Sequence, residues 1–224
     1  MFTRRTRPAC LAAGLAAMVA LIAGPAAAEF ELSLYSGWQT APHSDVSGND
    51  PGGVGNFDFT AGWDGKSFTA PIHYGFRGTW WRGGGDLGFG LELNHTKVYA
   101  DDQTLAEEGF ERLEFTDGLN IITANVMRRF SGARSWTPYL GGGVGLAYPH
   151  VDVKTAGGKT YGYQVTGPAV AWMAGVTYDL SESWSVFGEY KGTYSQNEAD
   201  LDTGGTLETN IVTNALNLGV SFNF

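Results

Sequence analysis

Residues 212–224 read VTNALNLGVSFNF, and this stretch decides the fold. Apolar side chains occupy every second position from Leu216 to Phe224, and polar or small side chains stand between them. This period of two residues is typical of a β-strand whose two faces meet different surroundings. Residues 212–224 therefore predict a long strand with one continuous apolar face.

The same alternation recurs in seven segments upstream of this strand. Each is about as long as a strand that crosses a bilayer at a tilt, roughly 9–11 residues. Together with the last segment they predict eight strands. The predicted apolar rows begin and end at Phe30 and Trp38, Ile72 and Trp80, Leu87 and Leu93, Ile122 and Phe130, Leu140 and Tyr148, Val170 and Tyr178, Trp184 and Tyr190, and Val212 and Phe224.

A water-soluble β-sandwich would also alternate, and two further features favour a membrane barrel. Aromatic residues end the apolar rows, as in an interfacial girdle. The connections alternate between short (82–86, 131–136, 179–183) and long (40–71, 98–117, 149–163, 196–210). We therefore predict an all-β fold, an eight-stranded antiparallel up-and-down transmembrane β-barrel with short periplasmic turns and long extracellular loops.

The N-terminal segment predicts export. Arg4, Arg5 and Arg7 precede an apolar stretch, and Ala26–Ala28 provides a small-residue cleavage pattern, so residues 1–28 are expected to be a cleaved signal peptide. Residues 29–224 then form one barrel domain, expected in the cell outer membrane as a monomer. Asn217, Gly219, Phe222 and Phe224 form a frame that resembles the C-terminal signal read by the barrel-insertion machinery.

Charge and cysteine content exclude several functions. The chain has 14 basic and 23 acidic residues, and three of the basic ones lie in the predicted signal peptide. Such an acidic chain is a poor partner for nucleic acid. The single cysteine, Cys10, also lies in the signal peptide. We therefore expect neither disulfide bonds nor a cysteine-based metal site.

The inward rows predict a polar network in the lumen. Arg77 and Glu92 face each other across the turn near Gly84, and Glu189 and Lys191 also point inward. An eight-stranded barrel is just wide enough for side chains to fill it. We expect these four residues to form an ion network in place of an apolar core, and an ion path is the alternative interpretation.

Four polar residues continue outward rows of neighbouring strands at the outer rim. His95 follows Leu93, Asn120 begins the fourth row, and His150 and Asp152 follow Tyr148. We expect them to be lipid-facing, side by side at headgroup level, and they are the candidate catalytic residues. His95, His150 and Asp152 are also the candidate ligands of a divalent metal ion. The alternative is that they are ordinary polar residues at a wet interface.

The mature chain resembles the small outer-membrane barrels of the OmpA and OmpX type. Residues 35–44, 94–100, 113–118 and 192–200 are similar to alphaproteobacterial proteins described as lipid A oxidases. That resemblance implies oxidation of the proximal glucosamine of lipid A to 2-aminogluconate, with oxygen, a divalent metal ion as cofactor, and lipid A or lipopolysaccharide as partner. It assigns no catalytic residue. The alternative function is a non-enzymatic barrel serving membrane integrity or adhesion.

Overall fold

A computed structural model describes residues 29–132 and 135–224. The predicted signal peptide, residues 1–28, lies outside the described residues. The described chain contains one α-helix, α1 (Asp102–Glu108), and a short 3₁₀ turn at Arg82–Gly84. The strands are β1 (Glu29–Thr40), β2 (Ser44–Asp50), β3 (Gly55–Ala61), β4 (Trp63–Asp64), β5 (Tyr74–Trp81), β6 (Leu87–Ala100), β7 (Arg112–Arg129), β8 (Trp136–Ala147), β9 (His150–Thr155), β10 (Gly158–Tyr163), β11 (Gly167–Asp179), β12 (Trp184–Asp200) and β13 (Thr206–Asn223).

Eight of these strands close into a ring. The antiparallel neighbours run β1–β5–β6–β7–β8–β11–β12–β13, and β13 pairs back with β1 through partners such as Leu34 and Val220. Closure leaves no unpaired sheet edge around the ring, which a barrel in lipid requires. The predicted eight-stranded, antiparallel, up-and-down architecture is confirmed.

The two faces of the ring differ as the alternation predicted. The outward rows expose large apolar side chains, including Leu218 at 77% and Leu91 at 58%. The apolar residues of all these outward rows together form a band around the ring, which is called the apolar belt below. The lumen holds a small cluster around Tyr35, Met127 and Phe187 together with many polar side chains. No helix among residues 29–132 and 135–224 is long and apolar enough to cross a membrane.

The segments predicted as long loops are largely folded. Residues 41–71, 97–117, 149–166 and 196–210, called the cap below, contain β2, β3, β4, β9, β10, α1 and the outer ends of four ring strands. The cap has its own apolar core, which includes Val46, Phe115, Val151 and Leu207. Because β6, β7, β12 and β13 continue beyond the apolar belt, the barrel wall extends into the cap along these two strand pairs.

Helix α1 in the cap starts at a defined N-cap. The Asp101 side chain accepts a hydrogen bond from the Thr104 backbone N–H at 2.8 Å, and Gly109 ends the helix with φ 74°. That N–H donor lowers the pKa of Asp101 below its ordinary value.

Replacing Asp101 with Ala should weaken α1 by about 1 kcal/mol, because an amide donor loses its acceptor. The pKa of Asp101 is lower in the folded protein than in the unfolded chain. The stabilisation that the Asp101 carboxylate gives to α1 is therefore present above the unfolded pKa and is lost as the pH falls through the folded pKa. Amide protection of Leu105, compared at neutral and acid pH, measures both effects. Asp101→Asn is the control, because it keeps an acceptor that does not titrate; equal pH dependence in Asp101→Asn and wild type would contradict the prediction.

Candidate functional site at the outer rim

The structure brings His95 and Asn120 into direct contact. They are register partners on β6 and β7, and His95 Nδ1 lies 2.9 Å from Asn120 Oδ1. The Asn120 amide nitrogen donates to the Tyr148 carbonyl at 3.2 Å, which leaves Oδ1 as the acceptor. His95 Nδ1 therefore carries the proton and donates to Asn120. This bond fixes the imidazole ring so that Nε2 is the free acceptor.

All four predicted rim residues are buried, which corrects the prediction that they face lipid. Their exposed fractions are 3% for His95, 9% for Asn120, 5% for His150 and 0% for Asp152. Neighbouring aromatic rings cover the imidazoles: Tyr74 stacks on His95 at a centroid distance of 4.7 Å. Tyr161 and Tyr163 approach His150 edge-on at 4.3 and 4.7 Å.

A fifth residue, Asp117, belongs to the same region and escaped the sequence analysis. Its carboxylate Oδ2 lies 3.8 Å from His150 Nδ1. Its side chain remains 43% exposed. Partial burial and then the Asp117 charge raise the pKa of Tyr163 above its ordinary value. His95, Asn120, Asp117 and His150 are called the rim cluster below.

The rim cluster has the groups that general base chemistry needs. A carboxylate beside an imidazole stabilises the protonated ring, so His150 can accept a proton with Asp117 as its partner. His95 Nε2 is buried and has no hydrogen-bond partner among the described residues, as is also true of His150 Nδ1. Two imidazoles with unused nitrogen atoms and one carboxylate therefore lie on adjoining strands at the rim.

Asp152 does not join the rim cluster. It accepts from Arg112 Nη1 at 2.8 Å and lies 3.4 Å from Lys159 Nζ, higher in the cap. Among the described residues, no group of three or more His, Cys, Asp or Glu side chains could hold a metal ion. The predicted metal set of His95, His150 and Asp152 therefore does not fit this structure, because the carboxylate that it needs is paired with two cations.

The four predicted lumen residues lie in one network. Arg77 Nη1 lies 2.7 Å from Glu189 Oε2 and 3.6 Å from Glu92 Oε1, while Lys191 Nζ donates to Glu92 Oε2 at 2.8 Å. Tyr35 and Asn125 also donate to Glu92, at 2.5 and 2.8 Å. With side chains at most 2% exposed, these groups fill the lumen at this level.

The residues of the predicted C-terminal insertion signal also make defined contacts within the barrel. Asn217 Oδ1 lies 3.0 Å from His73 Nε2 inside the barrel. A Cβ at Gly219 would lie 2.3 Å from the Phe187 ring, so only glycine fits. Phe222 packs against Trp184 and Phe224 at the other end of the barrel. The role of this frame in insertion stays a prediction.

Comparison with known proteins adds a family and several structures of the same fold. Neisserial surface protein A is 15% identical over 87% of this chain and 97% of that chain, with a TM-score of 0.50. AlkL, solved in lipid bilayers, is 13% identical over 100% of this chain and 97% of that chain, also at 0.50. At such identities the likeness shows the fold alone. No curated protein sequence matches the chain.

A family model describes nearly the whole chain. Residues 13–224 match the outer membrane protein beta-barrel domain, a range that covers every strand of the ring. The family agrees with the closed eight-stranded ring, the apolar belt and the buried ion network in the lumen. The predicted location in the outer membrane is therefore confirmed, and the chain belongs to the outer membrane protein beta-barrel family.

Proposed function

We propose that this barrel is an enzyme that oxidises the proximal glucosamine of lipid A to 2-aminogluconate. The observation that carries the proposal is the rim cluster itself. It places an imidazole–carboxylate pair, His150 and Asp117 at 3.8 Å, beside the His95–Asn120 pair, where β6 and β7 pass from the apolar belt into the cap. The resemblance of residues 94–100 and 113–118 to lipid A oxidases involves the same two strands.

The height of the rim cluster suits a lipid headgroup. Directly below it, Leu93, Ile122 and Leu146 belong to the apolar belt, with Ile122 and Leu146 47% and 51% exposed. Acyl chains of an outer-leaflet lipid would cover these side chains. The sugars joined to those chains would then lie level with His95 and His150.

The reaction starts from a glucosamine whose C1 carries a hydroxyl group. In our proposal His150 accepts the hydroxyl proton, and the C1–H bond gives up its hydrogen and two electrons as a C1=O bond forms. Molecular oxygen takes up the two electrons and two protons and leaves as hydrogen peroxide. The product is a lactone, and addition of one water opens it to 2-aminogluconate. The net change in the lipid is the gain of one oxygen atom.

Replacing His150 with Ala should lower the rate of lipid A oxidation by about 100-fold, the lower range for loss of a general base. Asp117→Asn should have a smaller effect, because the imidazole remains but its protonated form loses a partner. Each variant replaces the native copy in the cell, and mass spectrometry of lipid A follows the gain of one oxygen. His43→Ala is the matched control, since His43 is an exposed cap histidine outside the rim cluster.

Full oxidation by the His150 variant at normal barrel levels would remove the rim cluster from the mechanism. Absence of oxidation by the wild-type chain itself, with oxygen and divalent metal salts supplied, would overturn the enzyme proposal. The function would then be the second candidate, a non-enzymatic barrel for membrane integrity or adhesion. The cap favours this candidate, because it is a folded structure with its own apolar core beyond the apolar belt.

A further inference from the structure

A cavity lies inside the barrel at the end that carries the short connections, opposite the cap. Its volume is about 500 Å³, within the range of small-molecule binding sites, roughly 300–1,000 Å³. Arg77 and Tyr139, which both donate to Glu189, line its inner end. Ser181 and Glu182, from the turn between β11 and β12, line its mouth. This space, called the end cavity below, is therefore bounded by the lumen network on one side and is predicted to open to the periplasm on the other.

The residues that line the end cavity carry more negative than positive charge. Both of its guanidinium groups are already paired. Arg77 lies 2.7 Å from Glu189, and Arg129 lies 2.7 Å from Glu29. Three further carboxylates line the cavity without an ion pair to any residue that the structure describes: Glu31, Asp179 and Glu182. A cleft lined by one sign of charge concentrates ions of the opposite sign, so the end cavity favours a cation.

Neutral donors hold Glu31 in place. Its Oε2 accepts from Trp81 Nε1 at 3.1 Å, and its Oε1 accepts from the hydroxyl groups of Ser33 and Ser221 at 2.9 and 3.1 Å. These bonds fix the position of the carboxylate and leave its charge uncompensated. A cation that enters the end cavity therefore meets a carboxylate that is already oriented.

Two polar side chains that line the end cavity have unused buried oxygen atoms. Ser185 is 2% exposed, and its Oγ has no hydrogen-bond partner within residues 29–132 and 135–224. Asn223 Oδ1 is also buried and lacks a partner within the same ranges. Buried polar atoms normally have a partner, so both oxygen atoms can accept from a donor supplied by a ligand. Together with the carboxylates, they suit a ligand that is both a cation and an N–H donor.

The carboxylates are too widely spaced for one metal ion. Glu31 lies on β1 and Asp179 ends β11, and these strands are separated in the ring by β12 and β13. Neighbouring strands are about 4.8 Å apart, so the two carboxylates are on the order of 10 Å apart. Calcium and magnesium ions need oxygen ligands within about 2.6 Å. Extended cations, whose charges are separated along a chain, match this spacing.

We infer that the end cavity binds a linear aliphatic polyamine, a molecule whose ammonium groups are separated by methylene chains. Its ammonium groups pair with Glu31 on one side and with Asp179 and Glu182 on the other, and its remaining N–H groups donate to the two unused oxygen atoms. The methylene chains contact Met127 and Phe187, which also line the cavity. The site lies at the opposite end of the barrel from the rim cluster and is independent of the proposed function.

Removing the two exposed carboxylates tests the inference without altering the lumen network. Asp179→Asn combined with Glu182→Gln should lower the affinity for spermidine, a linear triamine, by about tenfold, because charge-assisted bonds are lost. Glu198→Gln combined with Asp200→Asn is the matched control, since it removes two exposed carboxylates of β12 in the cap. The control should change the affinity by less than about twofold, because charges farther away than a Debye length are screened.

A tethered ammonium group provides a second test. Thr177, near the end of β11, lines the end cavity. Thr177→Lys places an ammonium group among the three carboxylates and should abolish spermidine binding. Thr177→Gln is the control, because it adds a long polar side chain without a charge and should retain binding.

Isothermal titration calorimetry follows spermidine binding to the full chain in neutral detergent micelles, where no anionic lipid competes. Magnesium chloride should displace spermidine no better than sodium chloride of equal ionic strength. Absence of spermidine binding to wild type would overturn the inference, as would unchanged affinity in the Asp179 and Glu182 double variant or in Thr177→Lys. Displacement by an equal concentration of magnesium would overturn it too, since the carboxylates would then hold a metal ion.

The test also separates this inference from the proposed function. All of these variants keep the rim cluster, so they should oxidise lipid A at the wild-type rate. A wild-type chain that binds spermidine but does not oxidise lipid A would refute the proposed function alone. A chain that oxidises lipid A but does not bind spermidine would refute only the polyamine site.

Discussion

Replacing Glu92 with Ala should destabilise the barrel by about 3–5 kcal/mol, the typical cost of breaking a buried ion pair from one side. Glu92 accepts from Lys191, Tyr35 and Asn125, and its side chain is 0% exposed. Its loss leaves the Lys191 ammonium group in the lumen without this carboxylate. Urea unfolding of the barrel in lipid vesicles, followed by tryptophan fluorescence, measures the change in unfolding free energy.

The distances also rank the couplings within the network. A double-mutant cycle for Glu92 and Lys191, at 2.8 Å, should show more coupling than one for Glu92 and Arg77, at 3.6 Å. Glu198→Ala, which removes an exposed carboxylate on β12, is the control and should change stability by less than about 0.5 kcal/mol. A loss below about 1 kcal/mol in Glu92→Ala would show that the network is not held as a buried ion cluster.

The lumen network could be predicted because it depends on only two things. One is the alternation of side chains between the two faces of a strand, and the other is the approximate height of each residue along the barrel axis. Successive side chains of a strand point to opposite faces, so Glu92, between the lipid-facing Leu91 and Leu93, has to point inward. The turn between β5 and β6 brings Arg77 opposite Glu92. What the sequence could not show is which pair is closest. Glu189 approaches Arg77 from the far side of the ring, and this depends on how the barrel closes.

The rim was predicted less well, because the alternation of side chains no longer gives their facing and pairing correctly where a strand is irregular. The pairing of β6 with β7 slips between Thr96 and Val98, so counting along the chain no longer gives the facing residue. Asp117 lies in the stretch of β7 opposite this slip, within a range predicted to be a loop. His95 and Asn120 lie just below it and were placed side by side correctly. Tyr74 covers His95, and Tyr161 and Tyr163 on the cap strand β10, which alternation had not revealed, cover His150.

Gly118 decides how closely the rim cluster packs. Its φ of 95° lies in the left-handed region, and a Cβ there would lie 2.2 Å from the His95 imidazole. Tyr74 covers one side of that ring and Asn120 holds its Nδ1 atom, so the ring has little room to move. A side chain at this position therefore has to break the bond between His95 and Asn120.

Gly118→Ala should combine two penalties, about 1–2 kcal/mol for an L-residue in a left-handed conformation and the loss of the His95–Asn120 bond. If His95 acts in oxidation, the rate should fall together with stability. Lipid A mass spectrometry and urea unfolding measure the two effects separately. Gly162→Ala is the control, because Gly162 lies on β10 with open space around its Cβ and no positive φ.

The double variant His95→Ala, Gly118→Ala separates the clash from the strain. Without the imidazole ring the new methyl group has room, so the second substitution should add only the backbone penalty. If Gly118→Ala costs the same whether His95 is present or absent, the close packing of the two residues is wrong. A Gly118→Ala barrel with full stability and full oxidation would show that His95 need not stay on Asn120.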